Sequence, residues 1–361
     1  MKNEKLLAID GSSMLVTAYH GSMPNELRYA KTDEAKEAAY KKLMQTSDGI
    51  YTNAVYTMIK TLLKIIEEQQ PTHIVIAWDI SRKTFRTEEY KDYKANRAPS
   101  QSPLLQQFKT AQQVLGAMGF YQLMDVNYEA DDFVGTIVKK FEKEIPTYII
   151  TKDRDYLQLV SDYTRLWMIC ENWKELRETY YDKDCKFPAK SIELTPSLVK
   201  AIFDVEPHQV ADFKGLVGDS ADNIKGVPGV GDKAAIPLIE EYGSIEAIYE
   251  LLEAENGDEK GLKEIAKFWK ESLGIKRSPI KSLLEESIKD ENGEIIEFRG
   301  KDAAMICKKI ATIKTDLDIN VELEDLRFTM NEAANQEQFK KLEFKSLIKE
   351  EPSKIEDGKT A

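Results

Sequence analysis

The chain has 361 residues, enough for two to three domain-sized units and a sizeable buried core. Its content of 42% apolar and 32% charged residues excludes wholesale disorder, and no apolar run approaches the ~20 residues of a membrane span. The formal charge is −12, and the three cysteines (Cys170, Cys185, Cys307) lie far apart without a CxxC pair, which excludes a disulfide framework and a Cys-based zinc site and fits a reducing compartment.

In chain order, the first element is the apolar run Leu6–Ile9, which ends on Asp10-Gly11. It is far shorter than the apolar stretch of a signal peptide and reads as a strand, so the protein is expected in the cytoplasm. Residues 24–48 carry charged helical sequence, and residues 51–68 have apolar positions at helical spacing, with Pro71 beyond their end. A second apolar run, Ile74–Trp78, ends on Asp79. A basic segment follows at 82–97. Helices are predicted over 103–118, between Pro103 and Gly119, and over 129–144, with acids in the first turn and lysines later, as the helix dipole favours. A third apolar run, Tyr148–Lys152, ends on Asp153, with Asp155 two residues on. A second unit is expected from Thr195-Pro196, with a glycine-rich run at 215–231. Residues 253–303 read as an insertion of modest helices with a hairpin around Asp290–Gly293. Residues 349–361 are polar and read as a disordered tail.

Continuous apolar runs separated by helical stretches predict buried parallel strands of an α/β sheet. Ligands of such sheets sit outside the carboxyl ends of the strands, so all three runs deliver an aspartate to one edge. The acids at element ends are Asp10, Asp79, Glu129, Asp131, Asp132, Asp153, Asp155, Asp219 and Asp222. Any one of them read alone is a helix cap or turn former. Together they are a candidate metal site. Within Glu129-Ala130-Asp131-Asp132, the first and last acids share a helix face and Asp131 points elsewhere. Crowded carboxylates repel one another, and divalent cations relieve that repulsion. Oxygen ligands without His or Cys favour Mg²⁺ or Mn²⁺, and two such ions can stabilise both the attacking and the leaving oxygen of a phosphoryl displacement. Carboxylates gathered in this way also weaken the argument from net charge against nucleic-acid binding.

The run Gly226-Val227-Pro228-Gly229-Val230-Gly231, with a helix opening near Asp232-Lys233, can present backbone N–H groups to phosphate. It lacks both the preceding strand of a dinucleotide fold and the GK[ST] of a P-loop; a plain inter-helix loop is the alternative. Segment 82–97 holds Arg82, Lys83, Arg86, Lys91, Lys94 and Arg97 with Phe85, Tyr90 and Tyr93 interleaved. Cations there can grip a phosphate backbone and aromatics can stack on an unpaired base; a solvated helix face is the alternative.

These stretches resemble the 5′-nuclease (flap endonuclease) family, in particular the 5′-3′ exonuclease domain of bacterial DNA polymerase I. The matching segments include LLAIDGSSMLVTAYH, AWDISRKTFRTEEYKDYKANR, NYEADDFVGTI, ITKDRDYLQLV and FKGLVGDSADNIKGVPGVGDKAA. The resemblance implies a PIN-like catalytic domain over 1–194, a mostly parallel sheet flanked by helices with a helical arch near 80–100. It implies a helix-hairpin-helix DNA-binding region over 195–330, with the insertion 253–303, and a C-terminal segment 331–361. Asp10, Asp79, Glu129 and Asp131 match the first metal site, and Asp132, Asp153, Asp155, Asp219 and Asp222 the rest of the cluster. Lys83 and Arg86 match the arch-base cations near the scissile phosphate. Arg82, Lys91, Lys94, Arg97, Gly226, Gly229, Gly231 and Lys233 are expected on DNA, with a K⁺ at the hairpin. The implied activity is metal-dependent 5′-3′ exonuclease and flap cleavage in replication and repair. The implied substrates are DNA with a 5′ flap, a nick or an RNA primer, bound by a monomer beside the nucleoid and working with a DNA polymerase. No polymerase sequence follows the matched segments, so a stand-alone nuclease and a fragment of a longer protein are both compatible with this reading. Pro237 departs from the pattern and should weaken the helix it sits in. A silent DNA clamp would be expected to have lost some of the acids, and a PIN-like ribonuclease would not need the 215–235 hairpin.

Overall fold

The computed structural model describes residues 4–255 and 257–349; the tail read as disordered lies outside the described residues except for Lys349. The chain opens with β1 (Leu6–Asp10), α1 (Gly11–Ser22), α2 (Asn25–Arg28), α3 (Asp33–Tyr40) and α4 (Asn53–Gln69). There follow β2 (His73–Ala77), α5 (Phe85–Glu89), α6 (Ser102–Ala117), β3 (Tyr121–Leu123), α7 (Ala130–Phe141) and β4 (Thr147–Thr151). Next come β5 (Thr164–Ile169), α8 (Trp173–Tyr180), β6 (Ser191–Leu194), α9 (Pro196–Phe203), α10 (Val210–Val217), α11 (Asp232–Tyr242) and α12 (Ile245–Ala254). The last elements are α13 (Glu259–Glu271), α14 (Ile280–Leu283), β7 (Ile288–Lys289), β8 (Ile295–Glu297), α15 (Gly300–Ala311) and α16 (Glu332–Lys341).

Packing groups these elements into two units. The first comprises residues up to Ser13, Pro71–Pro99 and Leu123–Leu326; the second comprises Met14–Gln70, Ser100–Gln122 and the chain from Arg327. Both sides of the boundary expected near residue 195 fall in the first unit.

In the first unit the strands lie in the order β2-β1-β4-β5-β6, parallel except for the antiparallel β6. Leu123, the end of β3, accepts a hydrogen bond from Trp78 N at 2.9 Å beyond the β2 edge. All five residues of β1 and of β2 are buried, which is why their sequences are apolar without alternation. Register sets the functional edge. Asp10 pairs with Ala77 and Ile9 with Ile150, so Asp79 and Asp153 overhang the same end of the sheet as Asp10.

The glycine-rich segment joins α10 to α11. Asp219 and Ile224 exchange backbone hydrogen bonds of 2.7 and 2.8 Å, closing a tight loop that carries Asp219 and Asp222. The loop legs cross at two glycines. Gly218 and Gly226 have φ of +86° and +64°, and a Cβ on Gly226 would lie 2.4 Å from Gly218 N. A Gly226→Ala variant is therefore expected to lose about 2–3 kcal/mol of stability, read from its urea midpoint; a wild-type midpoint would show that the crossing can relax. The core beneath is Leu216, Val227, Val230, Leu238, Ile239 and Ile248. The insertion closes over it through Trp269 of α13, fully buried, whose Nε1 donates to Tyr242 Oη at 2.8 Å. Pro237 does not end α11: the helix runs through it, with Leu238 and Ile239 seated in the core. The hairpin expected near residue 290 forms as antiparallel β7 and β8, with Gly293 at φ +84° in its turn.

In the second unit, α2 and α3 account for the charged helical sequence of 24–48. Helix α4 lacks a cap from its own Thr52, and Gln107 of α6 supplies one: its Oε1 accepts from Ala54 N at 2.7 Å and its Nε2 donates to Asn53 Oδ1 at 2.9 Å.

Candidate active site

Each acid reaches the sheet edge by a local device. Asp10 ends β1, and its Oδ1 accepts from Ser13 N at 2.8 Å, capping α1. Asp79 lies two residues past β2; its own N–H donates to Ser12 Oγ and its Oδ1 accepts from Ala130 N, both at 2.8 Å. Glu129 is the N-cap of α7 and shares a capping box with Asp132, a favoured place for acids because the first helical amides point at them. Asp153 caps the short 3₁₀ turn Arg154–Leu159, its Oδ1 accepting from Asp155 N at 2.9 Å.

Four cations thread between these acids. Arg86, 1% exposed, grips Asp132, 0% exposed, through two hydrogen bonds of 2.7 Å. Two further donors go to the carbonyls of Ile310 (2.9 Å) and Thr312 (3.1 Å). Lys314 N closes the shell with 2.9 Å to Asp132 Oδ1. Glu129 and Asp131 each approach the same guanidinium to 3.8 Å, so Asp131 does not point away from its neighbours as the helical spacing predicted. Lys94, held at φ +54° with its N–H on the Asp222 carbonyl, reaches Glu129 at 2.6 Å and Asp222 at 3.8 Å. Arg97 meets Asp222 Oδ1 at 2.5 Å, and Tyr93 Oη donates to Glu129 at 3.0 Å. Lys214, in the last turn of α10, lies between Asp155 and Asp219, at 2.6 Å from Asp219 Oδ2. Sequence reasoning missed Lys214.

The basic segment thus divides. Arg82, Lys83 and Lys91 are exposed, while Arg86, Lys94 and Arg97 are turned onto carboxylates. The placement of Arg86 beside a scissile phosphate and of Asp132 on a metal ion, expected from the sequence, differs from this geometry, because the bidentate pair turns both groups inward. The aromatics also differ from expectation: Tyr90 and Tyr93 pack with Ile224, Cys307 and Ile310 rather than facing outward, and Phe85 lies under Arg86 and Lys314. In the hairpin, Gly229, Gly231 and Lys233 are exposed and Gly226 is buried at the crossing.

Nine acids against four cations would leave five negative charges in excess were all of them ionised. The crowding shows in their protonation. Burial, with Asp79 and Asp153 nearby, pushes the Asp10 carboxyl up to about 8. Burial raises Asp131 well above the usual carboxylate range. Burial also raises Asp155 to about 7 against the pull of Lys214, with Asp153 adding to the rise. Glu129 and Asp219 go the other way: burial opposes their ionisation, but Lys94 with Arg86, and Lys214, outweigh it. The Tyr156 hydroxyl, buried among the same acids, is driven well above its ordinary value by burial and by Asp10. A set of carboxylate oxygens that resist ionising together fits hard divalent ions, which relieve that repulsion. Among the described residues no three side chains converge tightly enough, as they stand, to chelate one ion. The interleaved ammonium and guanidinium groups stand between the acids and bridge them in pairs.

The sequence profile of the 5′-3′ exonuclease N-terminal resolvase-like domain matches residues 5–186, and that of the 5′-3′ exonuclease C-terminal SAM fold matches residues 205–334. The DNA polymerase I of Caldicellulosiruptor bescii is 33% identical over 347 residues, 96% of this chain and 33% of that protein. The chain spans about a third of the length of the DNA polymerase I relatives it matches. The 5′-3′ exonuclease of Bacillus subtilis is 33% identical over 256 residues, 70% of this chain and 75% of that protein. Two solved structures share the fold: the T5 D15 protein co-crystallised with metal ions (TM-score 0.50, 18% identity, 68% of this chain and 79% of that one) and the catalytic core of Rad2 in complex with DNA substrate (TM-score 0.50, 13% identity, 94% and 88%).

Proposed function

The chain belongs to the 5′-3′ exonuclease family of nucleases, and from that premise we propose that it is a structure-specific 5′-3′ exonuclease and flap endonuclease that hydrolyses phosphodiester bonds of DNA and of RNA primers. The observation that carries this reading is the convergence of Asp10, Asp79 and Asp153 at one end of three parallel strands, beside the acids of α7 and of the Asp219–Ile224 loop.

Asp10, Asp79, Glu129 and Asp131 would hold one divalent ion, Mg²⁺ or Mn²⁺, and Asp153, Asp155, Asp219 and Asp222 would hold a second. Such ions, when bound, supply an acidified water and positive charge at the phosphate. The protein's own groups do the rest. Lys83, exposed just after the β2 edge, meets the phosphate and stabilises charge developing on it. Arg82 and Lys91 steer the 5′ strand. Gly229, Gly231 and Lys233 grip one backbone of the duplex with amide N–H groups and a point charge, with K⁺ as an additional counter-ion. Arg86 and Asp132 act beneath the site as a brace that fixes Glu129 and Asp131. Lys94 acts on Glu129 and Asp222, while Arg97, half exposed, meets Asp222 and also faces the DNA backbone. The substrates are 5′ flaps, nicks and RNA-primed ends; the setting is replication and repair at the nucleoid, as a monomer working with a DNA polymerase.

The test is cleavage of a 5′-labelled flap duplex in Mg²⁺ and in EDTA, beside a blunt duplex and a single strand. Metal-dependent cutting near the flap junction is expected. Duplex binding with no cutting under any divalent metal would replace this reading with a non-catalytic clamp.

A further inference from the structure

We infer that Lys214 is a built-in counter-ion of the second acid group: it holds Asp155 and Asp219 together before a divalent ion arrives, and it competes with that ion for them. This rests on the metal-dependent reading above and extends it to a residue outside the nine acids and the arch cations.

Its position is fixed by packing. Lys214 stands one turn before the end of α10, and the neighbouring Gly215 lets that helix lie flush on α15: a Cβ there would come within 2.8 Å of the Ala304 carbonyl. The side chain is 10% exposed and its ammonium bridges Asp155, in the 3₁₀ turn after β4, and Asp219, at the head of the Asp219–Ile224 loop. Apart from Lys214, Asp219 accepts from Ala221 N at 2.8 Å within its own loop, so the lysine is what ties Asp219 itself to Asp155. Buried in this way, Lys214 is placed to act on carboxylates rather than on a phosphate backbone. An ammonium is a compact charge on a flexible stem, so it can occupy the place of a cation between two carboxylates and also swing aside; the forked Arg86, fixed by four hydrogen bonds, cannot. A divalent ion taken by Asp155 and Asp219 would lie within a few ångströms of a like charge in a poorly screened setting, and Lys214 therefore lowers the affinity of this acid pair. The gain is a site that stays assembled without metal.

The experiment is Mn²⁺ binding by calorimetry on the whole protein without DNA, at one fixed pH, comparing wild type with Lys214→Gln and Lys214→Met, and with Lys270→Met on α13 as the surface control. Lys214→Gln keeps a polar side chain between the acids, and guards against the Met variant failing to fold. Both Lys214 variants are expected to bind Mn²⁺ at least tenfold more tightly, to melt at lower temperature than wild type in EDTA, and to gain more in melting temperature from Mn²⁺. Affinity unchanged or weakened in the folded Lys214 variants, with wild type binding normally, would overturn the counter-ion role and leave the nuclease reading standing. Failure of wild type itself to take up Mn²⁺ would overturn both.

Discussion

Replacing Asp153 by Asn is expected to lower flap cleavage roughly a hundredfold or more while leaving the fold intact. The two halves of that expectation come from the same local geometry. Asp153 is exposed, and its structural duty is a single hydrogen bond: Oδ1 caps the 3₁₀ turn by accepting from Asp155 N at 2.9 Å. An asparagine carbonyl accepts the same bond, so the turn and Asp155 stay in place. What the amide cannot supply is the negative charge at the end of β4, opposite Asp10. Stability should therefore stay within about 0.5 kcal/mol of wild type, by urea denaturation in EDTA. Asp162→Asn, on an exposed residue at the opposite end of the strands, serves as the control. Full cleavage by Asp153→Asn would remove this residue from the site.

The second large effect is on stability. Arg86→Met is expected to cost about 3–5 kcal/mol, because it leaves a fully buried carboxylate without its partner. Asp132 would keep the N–H groups of Glu129 and Lys314 but lose both guanidinium bonds, and Glu129 and Asp131 would lose the positive charge 3.8 Å away that offsets their mutual repulsion. Arg86→Lys keeps charge but not the fork, so it should fall in between. Adding Asp132→Asn to Arg86→Met should recover part of the loss, since the double variant no longer buries an unpaired charge. Urea midpoints of the four proteins decide the matter. A wild-type midpoint for Arg86→Met would mean that the pair contributes nothing.

The legible part of this molecule was its sheet and its acids. Apolar runs such as Leu6–Ile9 and Ile74–Trp78 are buried on both faces, so they carry no alternation, and the aspartates at their ends mark the carboxyl edge of the sheet without reference to tertiary detail. The cations were another matter. Arg86, Lys94 and Arg97 sit in a run of mixed charge that reads as a gripping surface, and nothing local says that three of its six cations meet carboxylates. Lys214, in the middle of VADFKGLV, reads as the polar residue of an ordinary helix. Its burial depends on where Asp155 lies, 59 residues earlier in the chain. Its spacing before Asp219 was the one available signal: five residues leave room for the helix to end at Gly218 and the loop to fold back. Gly226 shows the same limit. In sequence it is one of three glycines of a phosphate-gripping loop; in the structure it is where two backbones cross.

The grip of Arg86 on the Ile310 and Thr312 carbonyls spans more than 220 residues of chain. Loops that long close slowly and late, because nothing compensates the entropy of closure until the distant partner is present. During synthesis, all nine acids have left the ribosome well before the segment 310–314 that completes the shell around Arg86 and Asp132. Glu129 and Asp131 lean on that shell, so their surroundings are complete only once the chain has been made through residue 314.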